Sequence, residues 1–413
     1  MRSSRGQLVR RLGASQTTGI ALGAMIGAGV YVSLGQAAAT TGGSLLVAVL
    51  IGALVALLNG LSSAELGAND PRAGGAYEFG RQRLRPWVGF LAGWVFLFAA
   101  AAASTTYALT FSAYLQPLTG ASVRWVGPAL ILVAVSLNAA GVRVSATANL
   151  VLVGFSLLVL VAFVALTLPA LTPADLDPFL AGGPVGLLQA GALLFFAYTG
   201  YARPVTVAEE VKDPRSVLPR AVVAAVAITL VLYLAVAAGG LGALGAGGFG
   251  ASDAPLRDAV AAAGPAFAAA LLSVGALVAS TTVLLTEVWG LSRLVFAMAR
   301  NDDLPRRLAQ LTEDERIPRR AVVAVGAVLL VLSSLLDLRP ALEASSLGLL
   351  VYYGIMNLSA LQLGPQERLY PRAVPVLGAA SCALLALSLP LSTILVVAVT
   401  GAAGLLYYRL RRR

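Results

Sequence analysis

"GAMIGAGVYV", residues 23–32, lies inside the first long apolar run of the chain and places Gly23, Gly27 and Gly29 within seven residues. Glycine sits about 1 kcal/mol below alanine in helix propensity, so a membrane-length helix carries such a cluster only for a reason. Close helix packing is one reason, and it uses small residues spaced by four on a single face, as Gly89 and Gly93 do in "GFLAGW". Gly23 and Gly27 fit that spacing; Gly29 does not. Five apolar runs later the chain reads "LLFFAYTGYARPVTVAEEV", residues 193–211, where Tyr198, Thr199, Gly200 and Tyr201 precede Arg203 and Pro204. Two interruptions at corresponding places of two halves point to a transporter built from an inverted repeat, with two discontinuous helices meeting at mid-membrane. Each break frees backbone groups. N–H groups at a half-helix start suit an anion, and freed carbonyls suit an ammonium or a cation, so a zwitterion such as an α-amino acid satisfies both.

The composition agrees with a chain dissolved in lipid. Of 413 residues, 58% are hydrophobic and only 12% charged, and the mean hydropathy is +0.85, too little charge for a water-facing surface. Apolar runs long enough to cross the hydrocarbon core as helix recur from end to end. Twelve are expected, at 17–39, 43–67, 87–116, 125–141, 148–168, 184–208, 217–241, 264–298, 318–337, 340–363, 371–389 and 391–408. The alternation of a membrane barrel is absent, which leaves helices. With the N-terminus cytoplasmic, 26 of the 29 Lys and Arg fall inside and only Arg124, Arg257 and Arg339 outside, as the positive-inside rule requires. Both termini are then cytoplasmic, the protein is a multi-pass protein of the cytoplasmic membrane, and topology accounts for the net charge of +10.

Several classes are excluded at this stage. There is no histidine and one cysteine, Cys382, which removes histidine–zinc sites, Ser-His-Asp hydrolysis, imidazole relays and internal disulfides. No Walker-type phosphate loop supports direct ATP drive, and no folded basic domain supports nucleic-acid binding. No cofactor is expected, no enzymatic activity, and no cleavage after "GQAAATTGG", because the preceding apolar run is too long for a signal sequence. The longest polar loops, "GANDPRAGGAYEFGRQRLRP", "EEVKDPRSVLPR" and "ARNDDLPRRLAQLTEDERIPRR", fall on the inner face as short helices and tethers. Outside, "ASDAPLRDAVAAAG" reads either as a short helix capping an external vestibule or as a plain loop.

Four stretches together resemble the amino acid-polyamine-organocation (APC) transporters: "TTGIALGAMIGAGVYVSLGQAAATTGG", "SSAELGANDPRAGGAYEFGRQRLRPWVGFLAGW", "FFAYTGYARPVTVAEEVKDPRSVLPRA" and "GLSRLVFAMARNDDLP". They cover about a third of the chain, in order and across both halves. The resemblance implies a LeuT-like fold of one transmembrane domain: a five-helix repeat over 17–168, its inverted partner over 184–363, and two additional helices over 371–408. It implies secondary active transport of amino acids or related amines by alternating access. The substrate carboxylate would meet the backbone of Ile26, Gly27, Ala28 and Gly29; the ammonium would meet carbonyls around Phe196, Ala197 and Thr199, beside Tyr198 and Gly200. Phe196 or Tyr201 would form an aromatic lid, and Ala99–Ala103 a wall without bulk.

Departures from the family pattern shape the expected chemistry. Ala202, followed by Arg203, stands where many members have an acidic residue, which argues against a dedicated carrier of arginine, lysine or polyamines. Arg203 either reaches the pocket and favours an acidic substrate or pairs with a carboxylate near the inner end. Members with a lysine in the fifth helix use it in place of sodium; here Ser156 holds that position. Sodium could therefore be coordinated by Ser156, Thr281, Thr282 and the carbonyl of Gly23. Glu287, halfway along the eighth run, is either a proton-carrying carboxylate or the partner of Arg203 or Arg293. Glu65, Glu209 and Glu210 lie at inner helix ends and are gate candidates with Arg72, Arg203 or Arg293. The expected partners are thus an amino acid, a proton or sodium, and the bilayer, with the chain a monomer or homodimer. A neutral or broad-range amino acid moved with protons or by exchange is the leading reading; sodium symport, organocation transport and a non-transporting sensor are its alternatives.

Overall fold

A computed structural model of the chain describes residues 10–70, 75–142, 146–312 and 317–412. Sixteen α-helices, joined by short 3-10 turns and loops, follow one another in the described residues: α1 (Ala14–Met25), α2 (Ala28–Thr41), α3 (Leu45–Asn69), α4 (Gly75–Arg83), α5 (Pro86–Thr119), α6 (Val123–Ala139), α7 (Ala146–Thr167), α8 (Gly183–Tyr198), α9 (Arg203–Thr206), α10 (Pro214–Ala251), α11 (Pro255–Ala263), α12 (Ala266–Arg300), α13 (Arg319–Leu335), α14 (Leu338–Ala360), α15 (Ala373–Ser388) and α16 (Leu391–Arg411). Strand-like pairing among them is confined to one isolated bridge between Leu12 and Val211. The fold is all-helical, and every one of the twelve apolar runs is helical over most of its length.

Seven helical stretches among the described residues are long and apolar enough to cross a membrane. The difference from twelve has local causes. The first run is split at Ile26–Gly27 into two pieces. Helices α6, α13 and α15 are 17, 17 and 16 residues long, and α14 carries Arg339 and Glu343 near its start. Conversely α10 runs far past the expected 241, to Ala251, bending where Gly245 takes φ 64°.

Burial separates packed helix faces from outward-facing ones. Helices α1, α2, α3, α8 and α10 pack on one another, and α5 packs against α12 and α14. The stretch Ala99–Ala103 of α5 is buried throughout, because alanine lets a neighbouring backbone come close. On α7, α10, α15 and α16, by contrast, Leu158, Val231, Leu387 and Val399 point outward. Apolar side chains turned away from the packed interior match a hydrocarbon solvent.

One end of the bundle carries both the first described residues and the chain's last helix end. Arg11 and Leu12 donate backbone N–H to the Glu210 carbonyl at 2.8 and 3.0 Å. Buried Asp303, just beyond α12, accepts from Tyr77 (2.7 Å) and Arg81 (2.5 Å) of α4, with Arg412 3.6 Å away. Arg83 pairs both nitrogens with Glu367 at 2.9 and 2.8 Å. That guanidinium, helped by the Gly364 N–H, holds the Glu367 carboxyl down to about 2. At the opposite end Arg339 bonds to Glu343 (3.0 Å) and Thr40 (3.2 Å), and Thr393 donates to Glu343 (3.0 Å). Helix α11 also lies at that end, packed on α2, so the stretch read as either helix or loop is a helix.

Candidate functional site

The helix stops where the glycines said it would. Ile26 still donates to the Leu22 carbonyl at 2.8 Å, but its ψ of 58° ends the helix, and Gly27 is extended at φ −115°, ψ −160°. Ala28 and Gly29 then open α2, so the break spans two residues, Ile26 and Gly27, and the other two lie in regular helix. Their N–H groups head α2 without intrahelical acceptors. Packing explains the glycines themselves. A Cβ on Gly27 would come 2.8 Å from Val283, and one on Gly29 would come 3.1 Å from the Ala197 Cα. A Cβ on Gly200 would lie 2.5 Å from the backbone of Ala24 and Met25. Gly29 thus leans on the sixth run while Gly200 leans on the first.

The sixth run departs from the expectation of a second discontinuous helix. Helix α8 passes directly into a 3-10 turn, Thr199–Ala202, and then into the short α9. Backbone angles stay helical at Tyr198, Thr199 and Ala202; the hydrogen-bond register changes, with no gap. Pro204 supplies no N–H, and the Gly200 carbonyl accepts from Arg203 three residues on. Proline and a 3-10 turn can therefore retune a helix without unwinding it.

A cavity of about 360 Å³ lies against the last turn of α1, just before the break, and against the 3-10 turn of the sixth run. Gly23 and Ala24 of α1 line one side, Ala100, Ala103 and Tyr107 of α5 another, and Phe196, Thr199 and Gly200 a third. Thr282, Val283 and Glu287 of α12 and Tyr352 and Tyr353 of α14 complete it. Gly23 and Ala24 are partly exposed, whereas Ala28–Gly35 of α2 are buried, so the cavity opens on the α1 side, where Thr206 at its mouth is exposed. The other side is closed. Tyr31 and Tyr114 meet edge to face at 5.8 Å, the Tyr114 hydroxyl donates to the Tyr31 carbonyl at 2.8 Å, and it accepts from the Leu256 N–H at 3.2 Å.

The expected site residues divide accordingly. Gly23, Phe196, Thr199, Gly200, Arg203, Thr282 and Glu287 line the cavity. Ile26, Gly27, Ala28, Gly29, Ala197 and Tyr198 are buried beside it. Of the two aromatic candidates Phe196 borders the cavity, while Tyr201 is turned away and packs 5.2 Å from the Tyr353 ring. The Phe196 carbonyl accepts from the Thr199 hydroxyl at 2.8 Å. Arg203 reaches the cavity and pairs there with Glu287, so the two readings of Arg203 meet in one contact. Thr281 and Thr282 donate to Leu277 and Val278 of their own helix, both at 2.8 Å, the ordinary behaviour of hydroxyls in membrane helices. Ser156 is buried on α7 outside the cavity lining.

The contacts of three gate candidates are local ones. Glu65 is fully buried and accepts the backbone N–H groups of Leu369 and Tyr370, holding the connection after α14. Glu210 acts through its carbonyl, which clips the segment before α1; its neighbour Glu209 shares the same 3-10 turn. Arg293 stacks over the Trp289 ring at 5.1 Å. Arg72 lies outside the described residues. Sequence reasoning missed Tyr107, Tyr352 and Tyr353, and also Tyr233 of α10. The only available signal was a tyrosine in an apolar helix, since a buried phenol needs a partner.

The model of a family described as "Amino acid permease" matches residues 12–408 of the chain. The chain belongs to this family. It is a member of the APC superfamily, and so a membrane protein of a transporter family whose members are permeases and not enzymes. An uncharacterized transporter of Mycobacterium bovis is 40% identical over 98% of this chain and 92% of its own length. The branched-chain amino acid permease BcaP of Bacillus subtilis is 29% identical over all of this chain and 95% of its own. A methylthioribose transporter of Bacillus subtilis is 28% identical over 98% and 94%.

Proposed function

We propose that the chain is a secondary transporter of amino acids that works by alternating access across the cytoplasmic membrane. It crosses twelve times with both termini inside; 17–168 and 184–363 form two inverted five-helix repeats, and 371–408 adds two helices. The observation that carries this reading is a cavity of about 360 Å³ between the last turn of α1, where the first run is about to break, and the 3-10 turn of the sixth run, within the size range of small-molecule sites. The reciprocal contacts of Gly29 on Ala197 and of Gly200 on Met25 support the two-fold relation of the halves. With the termini inside, the cavity is open to the cytoplasm and closed outward by Tyr31, Tyr114 and α11.

The substrate is a neutral amino acid. Its carboxylate takes the N–H groups heading α2, and its ammonium takes the carbonyls that end α1 and α8. Its side chain lies among Phe96, Ala100, Ala103 and Tyr107, where alanines leave room and aromatic rings favour apolar matter. Arg203 adds no net charge because Glu287 pairs with it. The relative named for branched-chain amino acids supports the same class. Transport runs by proton coupling or by exchange, with Glu287 the carboxylate in the cavity. The test is counterflow of radiolabelled leucine in proteoliposomes, with each common amino acid as competitor, with and without sodium and a pH gradient. Saturable counterflow blocked by neutral amino acids is expected; an absence of counterflow for every amino acid overturns the reading.

A further inference from the structure

Carbonyls at the end of α1 and at the register change of α8 share one buried donor. Tyr233, on α10, is wholly buried, and its hydroxyl lies 2.6 Å from the Met25 carbonyl and 3.2 Å from the Ala197 carbonyl. Met25 is the last residue of α1, and Ala197 belongs to the last turn of α8. The Met25 carbonyl falls among the four that a helix end leaves without an intrahelical donor, and the Ala197 carbonyl lies where α8 tightens into the 3-10 turn. One turn earlier on the same helix, the Thr229 hydroxyl lies 3.6 Å from the Met25 sulfur. The Tyr233 ring is fixed independently of its hydroxyl, 5.0 Å from the ring of Tyr198. A phenol has one proton, so the group serves the two acceptors in turn or shares between them.

We infer that Tyr233 is a positioning residue that clasps both irregular segments to α10 through one shared hydroxyl and so sets the direction of the backbone carbonyls beside the cavity. Tyr233 is absent from the cavity lining, so it acts through Met25 and Ala197 and not on a ligand directly. Any displacement of α1 against α8 lengthens one of its two bonds while the other holds. For transport, this inference rests on the function proposed above.

The test uses the full-length protein in detergent and in proteoliposomes. Tyr233→Phe keeps the ring and removes the shared donor. Thr229→Val removes a hydroxyl that faces α1 alone. Hydrogen–deuterium exchange of peptides covering 22–30 and 195–203 needs no substrate. Tyr233→Phe is expected to speed exchange in both peptides, and Thr229→Val only in the first. Unchanged exchange in Tyr233→Phe, or a change confined to one peptide, overturns the clasp. In counterflow, Tyr233→Phe is expected to raise KM about threefold to tenfold, the scale of one lost hydrogen bond, with the maximal rate within about twofold. An unchanged KM in an active variant overturns the link to the carbonyls. Faster exchange in both peptides combined with a wild type that moves no amino acid supports the clasp and rejects the proposed function instead.

Discussion

Arg203 of α9 and Glu287 of α12, 84 residues apart in the chain, meet as an ion pair on the wall of the cavity, the guanidinium more exposed than the carboxylate. Removing one partner leaves the other charge facing the cavity. Glu287→Gln is therefore expected to slow leucine counterflow at least about tenfold, as uncompensated charges in partly dry sites do. It should also make aspartate and glutamate better competitors. The double variant Arg203→Gln/Glu287→Gln should recover part of the rate, and the interaction energy from the four proteins measures the coupling. Equal losses in single and double variants would show the pair to be incidental.

Gly200→Ala tests the crossing of the first and sixth runs. Its Cβ would meet backbone atoms of Ala24 and Met25 at 2.5 Å, and backbone cannot swing aside as a side-chain tip can. The expected loss is about 1–3 kcal/mol, read as a lower Tm in detergent. Gly154→Ala on α7 is the control: nothing lies within 4 Å of its Cβ, and helix propensity makes it neutral or slightly stabilising.

Asp303 and Asp302 are neighbours with opposite roles. The side chain of Asp303 is wholly buried and serves Tyr77 and Arg81, while that of Asp302 is exposed and pairs with an exposed Arg306. Asp303→Asn should destabilise by about 3 kcal/mol, because it leaves a half-buried guanidinium without its anion. Asp302→Asn should leave Tm unchanged within error, since surface pairs contribute little, and asparagine tolerates the positive φ of that position. Thermal melts of both variants in one detergent decide the matter.

The Arg83–Glu367 pair gives a pH signature. The folded carboxyl titrates near 2, below its ordinary 4.5. A depressed carboxyl contributes stability that is fully present above about 4.5 and fades as pH falls toward 2. Glu367→Gln should thus lower Tm at neutral pH, modestly because both groups are partly exposed. The gap from wild type should narrow below pH 4.5. A gap that is constant from pH 7 to pH 3 would refute the pairing as its source.

The break at Ile26–Gly27 could be read before any coordinates because three glycines within seven residues, one of them off the packing period, are more than a single packing face needs. The sixth run misled: "YTGYARP" has the composition of a break, yet the chain stays helical there by tightening to 3-10. Glycine and proline permit an interruption, but whether the backbone opens depends on what neighbouring helices supply to its free groups. Tyr233 illustrates the same limit. Nothing in "LVLYLAV" tells which way a tyrosine faces in a helix that is apolar all round, so its two acceptors were invisible.

The sequence alone determined the helical class, the positions of the apolar runs, the family and the place of the first break, because hydropathy, glycine spacing and charge asymmetry are local properties that lipid acts on directly. Tertiary structure alone decided which side of the break holds a cavity, that Arg203 turns to Glu287, that Tyr201 faces away while Phe196 faces in, and that Glu65 holds a loop. Those outcomes depend on how helices distant in sequence rotate against one another. That rotation is set by side-chain and backbone contacts across the whole bundle, which no single helix encodes.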